Sequence, residues 1–334
     1  MTERTMRAVV AERPGDPEVL RLREVPRPSA RPGWTLVHIT AFGLNRSELF
    51  TRRGWSPGVE LPRILGIEGV GVVAESLDPR LPEGTAVAAA MGGLGRSFDG
   101  AYAEYALIPS AQLMPIRTDL PWPLVAALPE AYLTAYGSLE ALEMRPGQRL
   151  LVRAATSGVG MAALDLARER GLEVAGTTRD PAKAAAVRAA GAQHVVPDEG
   201  DALPDRVKEV WPDGADRVLD LVGGPALLDS LRSLAPRGRV CCTGCLSDEW
   251  IIPDFEPLEH IPSGAALTTF SSSTVNSGDW AARALQEVLD RVADGSLRPA
   301  LDRVFPLAEL PDAHRYMEEN RAAGKVVGSN VAGA

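Results

Sequence analysis

The sequence is poor in the groups that mark several functional classes. Its three cysteines are confined to Cys241, Cys242 and Cys245. Cys242 and Cys245 have CxxC spacing, but no second pair exists to complete a tetrahedral zinc knuckle. The segment Gly238-Arg-Val-Cys-Cys-Thr-Gly-Cys245 therefore reads as a small-residue strand and its turn. No stretch approaches the roughly 20 apolar residues that span a bilayer. No apolar signal segment follows Met1-Thr-Glu-Arg-Thr-Met-Arg7, so a cytoplasmic location with no membrane partner is expected. There is no long basic run either, and 44 acidic against 35 basic side chains give a net charge of −9, which argues against a nucleic-acid partner. None of the histidines, His38, His194, His260 and His314, has an evident nucleophile partner, and each reads as structural or exposed. Glu318-Glu319 reads as a pair of solvated helix charges rather than an acid/base dyad.

With 45% hydrophobic and 24% charged residues, the 334-residue chain has enough apolar material for two cores. Residues 6 to about 120 carry short apolar or alternating runs, Leu36–Thr40, Gly69–Val73 and Tyr102–Ala106, broken by turns such as Arg31-Pro-Gly33. This is a β-rich region. The glycine-rich Ala89–Gly95 follows no strand-to-helix pattern and reads as a loop.

From Arg149 the pattern changes to alternating strands and helices. Strands are expected at Leu150–Val152, Glu173–Thr178, His194–Val196, Arg217–Val222 and Arg239–Cys242. A helix placing Val159, Ala162, Ala163, Leu166 and Ala167 on one face follows the first, with Gly171 as its stop. Further helices are expected near Asp205–Val210 and Pro225–Leu234, which gives an α/β unit with a doubly wound parallel sheet of Rossmann type. Beyond it come a helix at Asp279–Ala293, a strand at Asp302–Phe305 and a helix opening at Leu310–Tyr316.

The turn Leu150-Leu-Val-Arg-Ala-Ala-Thr-Ser-Gly-Val-Gly160 lies where the first strand hands over to a helix. A full GxGxxG is absent, but Ala155, Ser157 and Gly160 hold its three spaced positions. Small side chains at Thr156, Ser157, Gly158, Val159 and Gly160 let the backbone and the helix N-terminus approach a diphosphate; the alternative is a turn that merely permits close helix–sheet packing. The second strand runs into Thr178 and Arg179, with Lys183 a turn later, which suits the 2′-phosphate of NADPH better than the acidic residue expected for NAD. Arg179 and Lys183 read equally as solvated charges, and Asp180 before Pro181 reads as a cap.

The chain resembles the medium-chain dehydrogenases/reductases, in their zinc-independent quinone oxidoreductase-like branch, from Met6 to about Val331. The resemblance rests on Ala41-Phe-Gly-Leu-Asn-Arg-Ser-Glu48, Leu65-Gly-Ile-Glu-Gly-Val-Gly-Val-Val73, Leu133-Thr-Ala-Tyr-Gly137, the Ala155–Gly160 turn and Gly324-Lys-Val-Val327. It implies a β-rich GroES-like catalytic domain, residues 1–122 and 297–334, and a Rossmann cofactor domain, residues 123–296. In zinc-dependent relatives a Cys, a His and a Cys hold the metal. Asn45, Ile67 and Glu130 occupy those places here, so no metal is expected. Without a Lewis acid, the implied chemistry is hydride transfer from NADPH to an activated acceptor, a quinone, enone or enal. A pathway-specific enoyl reductase and an NADPH-binding sensor without turnover stand as alternatives.

The resemblance also implies site residues. Asn45 and Thr134 are expected near the nicotinamide or its ribose, although Asn45 is also turn-compatible and Thr134 could serve as a helix cap. Val222, Gly223, Thr243 and Gly244 close strands at the nucleotide edge of the sheet. Phe270 and Ser271 complete the nicotinamide pocket. Trp55 and Tyr132 are the candidate acceptor contacts, or else packing aromatics. The stretch Trp250–His260 is longer than the matching connection in the relatives and reads as a lid or an interface. A homodimer is implied, through sheet edges after Pro262.

Overall fold

The computed structural model describes residues 4–199, 202–275 and 278–331. Its strands, in chain order, are β1 (Thr5–Ala11), β2 (Leu20–Pro26), β3 (Trp34–Gly43), β4 (Arg63–Ile64), β5 (Glu68–Glu75), β6 (Ala86–Ala90), β7 (Tyr105–Pro109), β8 (Met114–Pro115), β9 (Arg149–Val152), β10 (Glu173–Thr178), β11 (His194–Pro197), β12 (Ala215–Asp220), β13 (Leu234–Cys242), β14 (Ala266–Thr269), β15 (Leu301–Pro306) and β16 (Lys325–Ser329). The chain divides into two compact units: Met1–Leu133 with Ser272–Asp294 and Leu301–Ala334, and Thr134–Ser271 with Gly295–Ala300.

The first unit is built on a seven-stranded sheet, β15-β16-β3-β5-β6-β8 with β7 also on β3, beside a three-stranded sheet β2-β1-β4. Its pairings are antiparallel except β15 with β16. β3 is buried over most of its length, with Val37 and Ile39 in the core, and His38 is its exposed residue. That core gathers Val9, Ile39, Phe42, Leu65, Tyr102, Ile108, Phe305 and Val326. β7 starts later than expected, at Tyr105. Ahead of it Tyr102 is fully buried as a core side chain and Ala103 makes a single bridge to Ala8. Of the Ala89–Gly95 loop, the first two residues continue β6.

The helix Gly278–Ala293 buries the expected stripe, Ala281, Leu285, Val288, Leu289 and Val292, and belongs to this first unit. Gln286 fixes it by accepting from Arg117 N and donating to Arg117 O, both at 2.9 Å. The helix Leu310–Glu318 begins where the sequence places it. Its Glu318 is not solvated: it pairs with Arg52, whose side chain has 0% exposure, and lies 2.8 Å from Arg53. Helical periodicity put Glu318 on the charged face, but a buried guanidinium from another element draws its carboxylate inward.

The second unit is a six-stranded, wholly parallel sheet in the order β11-β10-β9-β12-β13-β14, which is the 3-2-1-4-5-6 order of a Rossmann fold. Five of the six strands were expected. β14 was not, because Ala266-Leu-Thr-Thr269 is short and only partly buried at the sheet edge. Leu151, Val196, Val207, Trp211, Val218, Leu231 and Val240 pack one core layer. The helix Gly158–Glu169 is buried throughout Met161–Ala167, not on one stripe alone. Even Asp165 is buried there, held by Arg298 N at 2.7 Å from the returning segment 295–300.

Candidate functional site

In the Rossmann unit, β9 ends at Val152 and the chain turns through Ala154, whose φ of 57° is unusual for a non-glycine residue. Ser157 caps the following helix: its hydroxyl accepts from Gly160 N at 3.1 Å and donates to Ala154 O at 2.9 Å. The N–H groups of Gly158 and Val159 lie in the first turn, where no helical carbonyl precedes them. Gly160 is required by space, since a Cβ there would stand 2.6 Å from Ala154 O. The turn is thus a backbone cradle at a helix N-terminus, with Thr156 and Ser157 on its rim.

Charged groups behind the cradle brace it. Ala154 N donates to Thr177 Oγ1 at 3.0 Å, and that hydroxyl donates to Asp198 Oδ2 at 2.9 Å. Asp198 in turn receives a two-pronged contact from the buried Arg153, at 2.9 Å on each oxygen. Arg153 also reaches Ser230 Oγ at 3.3 Å and the Ala226 carbonyl. Burial opposes its charge, but these carboxylates prevail and hold its pKa above the ordinary arginine value. At the end of β12, the buried Asp220 accepts from Val222 N and Gly223 N at 2.8 Å each, which fixes that turn. Thr243 N donates to Asp220 O at 2.9 Å and the Thr243 hydroxyl pairs with Ser138 at 2.9 Å. A Cβ on Gly223 would meet Gly244 O at 2.5 Å, so these two expected residues lie against each other.

Thr178 closes β10 with little exposure, Arg179 is exposed and Lys183 half-buried. Asp180 accepts from Ala182 N at 2.9 Å, the capping role expected of it. A cavity of about 130 Å³ beside the strand end is lined by Thr178, Arg179, Arg188 and Glu199, among others. Arg188, a second cation there, was missed by sequence reasoning. Phe270 lays its ring against Gly137, 2.1 Å from where a Cβ would be, while Ser271 is exposed. Thr134 is not at a helix start. It lies inside the helix Pro129–Ala141, its carbonyl accepting from Ser138 Oγ at 2.7 Å.

The first unit holds a second polar cluster, around Asn45. Asn45 ends β3's exit loop and stands at the N-cap of the helix Arg46–Arg53, where the Glu48 carboxylate reaches back to Asn45 N at 3.1 Å. The other Glu48 oxygen accepts from Ile67 N at 3.0 Å. The Asn45 amide points elsewhere: Oδ1 accepts from Lys325 Nζ at 2.6 Å and Nδ2 donates to Glu68 Oε1 at 2.9 Å. Lys325 Nζ also lies 2.6 Å from Glu68 Oε1, and the second Glu68 oxygen accepts from Glu130 N at 2.8 Å. Ser272 Oγ donates to Glu130 Oε1 at 2.6 Å. Gly43 makes room for this pair, since a Cβ there would fall 2.1 Å from Glu68 Oε1 and 2.6 Å from Lys325 Cε.

Burial pushes Glu48 up to about 7, against the opposing pull of the Ile67 N–H and Lys325. Beneath it, the buried Tyr102 hydroxyl pairs with His314 Nε2 at 3.1 Å, and burial with Arg52 nearby pushes His314 down to about 3. Of the expected acceptor contacts, Tyr132 is 2% exposed and Trp55 56% exposed, its ring under the Arg53 guanidinium at 4.9 Å. A shallow cleft of about 470 Å³ lined by Arg4, Arg27, His38 and Tyr105 contains none of the expected site residues. The three thiols are free, and burial raises Cys242 to about 12, far from a reactive thiolate.

Glu48, Glu68 and Lys325 carry the second cluster, yet the sequence offered them only as letters of motifs. The available signal was Lys325 at the head of the apolar run Val326-Val327, a charge with no reason to be there unless paired.

Fold and clusters together define a two-unit dehydrogenase/reductase, and comparison with known proteins agrees. Residues 31–118 match the alcohol dehydrogenase GroES-like domain and residues 190–327 the zinc-binding dehydrogenase family. A quinone oxidoreductase of Lama guanicoe is 30% identical over 333 residues, covering 97% of this chain and 98% of that protein. A spectinabilin polyketide synthase system protein of Streptomyces orinoci is 34% identical over 304 residues, 89% of this chain but 13% of that longer protein. A mycobacterial protein solved in complex with NADPH superimposes with a TM-score of 0.87 at 28% identity, covering 97% and 99% of the two chains. The chain belongs to the medium-chain dehydrogenase/reductase superfamily and is quinone oxidoreductase-like.

Proposed function

We propose that this protein is an NADPH-dependent oxidoreductase that transfers hydride to a quinone or α,β-unsaturated carbonyl without a metal. The observation that carries the reading is the Asn45–Glu68–Lys325 cluster. Lys325 holds an ammonium 2.6 Å from both the Asn45 and Glu68 oxygens, and Ile67 offers no donor atom. A cation already held by these oxygens, with an aliphatic side chain at the imidazole position, does not suit Zn²⁺.

When bound, the nicotinamide supplies the hydride. Thr156, Ser157, Gly158, Val159 and Gly160 would hold the diphosphate, Thr178, Arg179 and Lys183 the ribose phosphate, and Thr134, Val222, Gly223, Thr243, Gly244, Phe270 and Ser271 the nicotinamide side. An N–H of the Asn45 side chain donates to the carbonyl oxygen of the acceptor. Bound cofactor would supply the hydride to the electrophilic carbon, and the Asn45 N–H would stabilise the charge that develops on the carbonyl oxygen until a proton arrives from water or a hydroxyl. Trp55 and Tyr132 are assigned to the acceptor. A test is NADPH oxidation against quinones, enals and enones: turnover without bound zinc is expected, and NADPH binding with no turnover of any acceptor would favour a sensor.

A second reading, enoyl reduction on a pathway-bound substrate, draws on the identity with the polyketide synthase system protein. Preference for enoyl thioesters over quinones by more than tenfold in kcat/KM would select it. A cytoplasmic homodimer completes the proposal. No helix among the described residues is long and apolar enough to cross a membrane. Trp250, Ile251 and Leu258 expose large apolar side chains on the connection before the edge strand β14, a surface suited to burial in an interface. Equilibrium sedimentation tests the subunit number.

A further inference from the structure

We propose that Lys325 is a positioning residue for the reaction, one that fixes which way the Asn45 amide faces; the inference rests on the reading of Asn45 as the donor to the acceptor carbonyl. The two ends of a side-chain amide have nearly the same shape and opposite hydrogen-bonding roles, so only the partners decide the orientation. Here the partners allow one answer. Lys325 Nζ, a pure donor, lies 2.6 Å from one end of the amide, which must therefore be the oxygen. Glu68 Oε1 lies 2.9 Å from the other end, which must be the nitrogen. Lys325 also bonds the same Glu68 oxygen at 2.6 Å, and Glu68 is fully buried, so one ammonium ties the carboxylate and the amide oxygen together.

The amide nitrogen carries two protons, and Glu68 takes one. The second is committed to nothing among the described residues, and Asn45 is only half-buried. Lys325 thus holds a neutral donor in one orientation. Without it, one end of the amide loses the charged donor that marks it as the oxygen, and the Glu68 contact alone is left to set the orientation. The Asn45 oxygen is then free to turn toward the acceptor, where it opposes the charge developing on the carbonyl.

A double-mutant cycle between Lys325→Met and Asn45→Ala in the full-length protein tests this, with NADPH and 1,4-naphthoquinone as probes. Lys325→Met is expected to lower kcat about tenfold or more while changing the Kd for NADPH less than about twofold. In the Asn45→Ala background the same substitution is expected to cost less than about threefold, because nothing remains to orient. Effects that multiply, or a Lys325→Met kcat equal to wild type, overturn the proposal while leaving the role of Asn45 intact. An unchanged kcat in Asn45→Ala overturns that role itself. If Lys325→Met fails to fold, the pair Glu68→Gln with Lys325→Met, which leaves no orphan charge, replaces it in the cycle. Selective ¹⁵N-asparagine labelling supplies a readout apart from turnover: the Asn45 side-chain protons are expected to exchange slowly in wild type and at least tenfold faster in the variant, and equal exchange rates overturn the proposal.

Discussion

Glu318 holds the charge of Arg52, the largest fully buried side chain among the described residues, across 266 residues of sequence. Two of the Arg52 nitrogens, Nε and Nη1, have no partner among the described residues, so the Glu318 carboxylate carries most of the compensation. Removing it strands a guanidinium in the core. Glu318→Ala is expected to destabilise the first unit by about 3–5 kcal/mol, whereas Arg52→Met with Glu318→Leu, which removes both charges, should cost far less. Urea unfolding of the variants checks this, and equal losses in the two would refute it.

Glu48 makes stability depend on pH. Its pKa is about 7 in the folded chain against an ordinary 4.5, so below about pH 4.5 the carboxyl is protonated in both states and contributes no pH dependence. Between about 4.5 and 7 the folded state binds the extra proton, and stability falls as pH rises through that window, levelling off above it. Glu48→Gln cannot titrate. The urea midpoint of wild type should drop more between pH 5 and pH 8 than that of Glu48→Gln; parallel slopes would contradict the assignment.

Gly160→Ala drives a methyl group against Ala154 O and Ala155 O, at 2.6 and 2.7 Å. The turn must shift, at a cost of about 1–3 kcal/mol. Since the diphosphate is common to both cofactors, NADPH and NADH should lose affinity alike, by about tenfold or more. Fluorescence titration with each nucleotide measures it, and an unaltered Kd for both would exclude this cradle as the diphosphate site.

Arg179 and Arg188 give the opposite signature. Replacing either by Ala removes a cation from the cavity beside Thr178. NADPH is expected to weaken about tenfold per substitution, and NADH by less than about twofold, because only the former carries the 2′-phosphate. Equal losses would reject a phosphate role for that residue.

The Rossmann unit was largely legible from local signals. β9 and β10 are apolar runs ended by small residues, and the strand–turn–helix at Ala155–Gly160 announces itself within a dozen residues. β14 was not legible, because a four-residue, partly exposed edge strand has neither length nor alternation. The Asn45 cluster needed distance information: Asn45, Glu68 and Lys325 are joined by the pairing of β16 with β3 and of β3 with β5. Hydrophobic periodicity reports which face of an element is inward. It does not say which buried cation meets which carboxylate, and Glu318 was misjudged for the same reason.

The chain of bonds from Arg153 through Asp198 and Thr177 to Ala154 N ties the Ala154–Gly160 turn to the residue that follows β11. Natural variation or laboratory evolution at Asp198 should therefore register as altered coenzyme use, even though that side chain reaches the Ala154 amide only through Thr177. A screen restricted to residues 154–160 would overlook it.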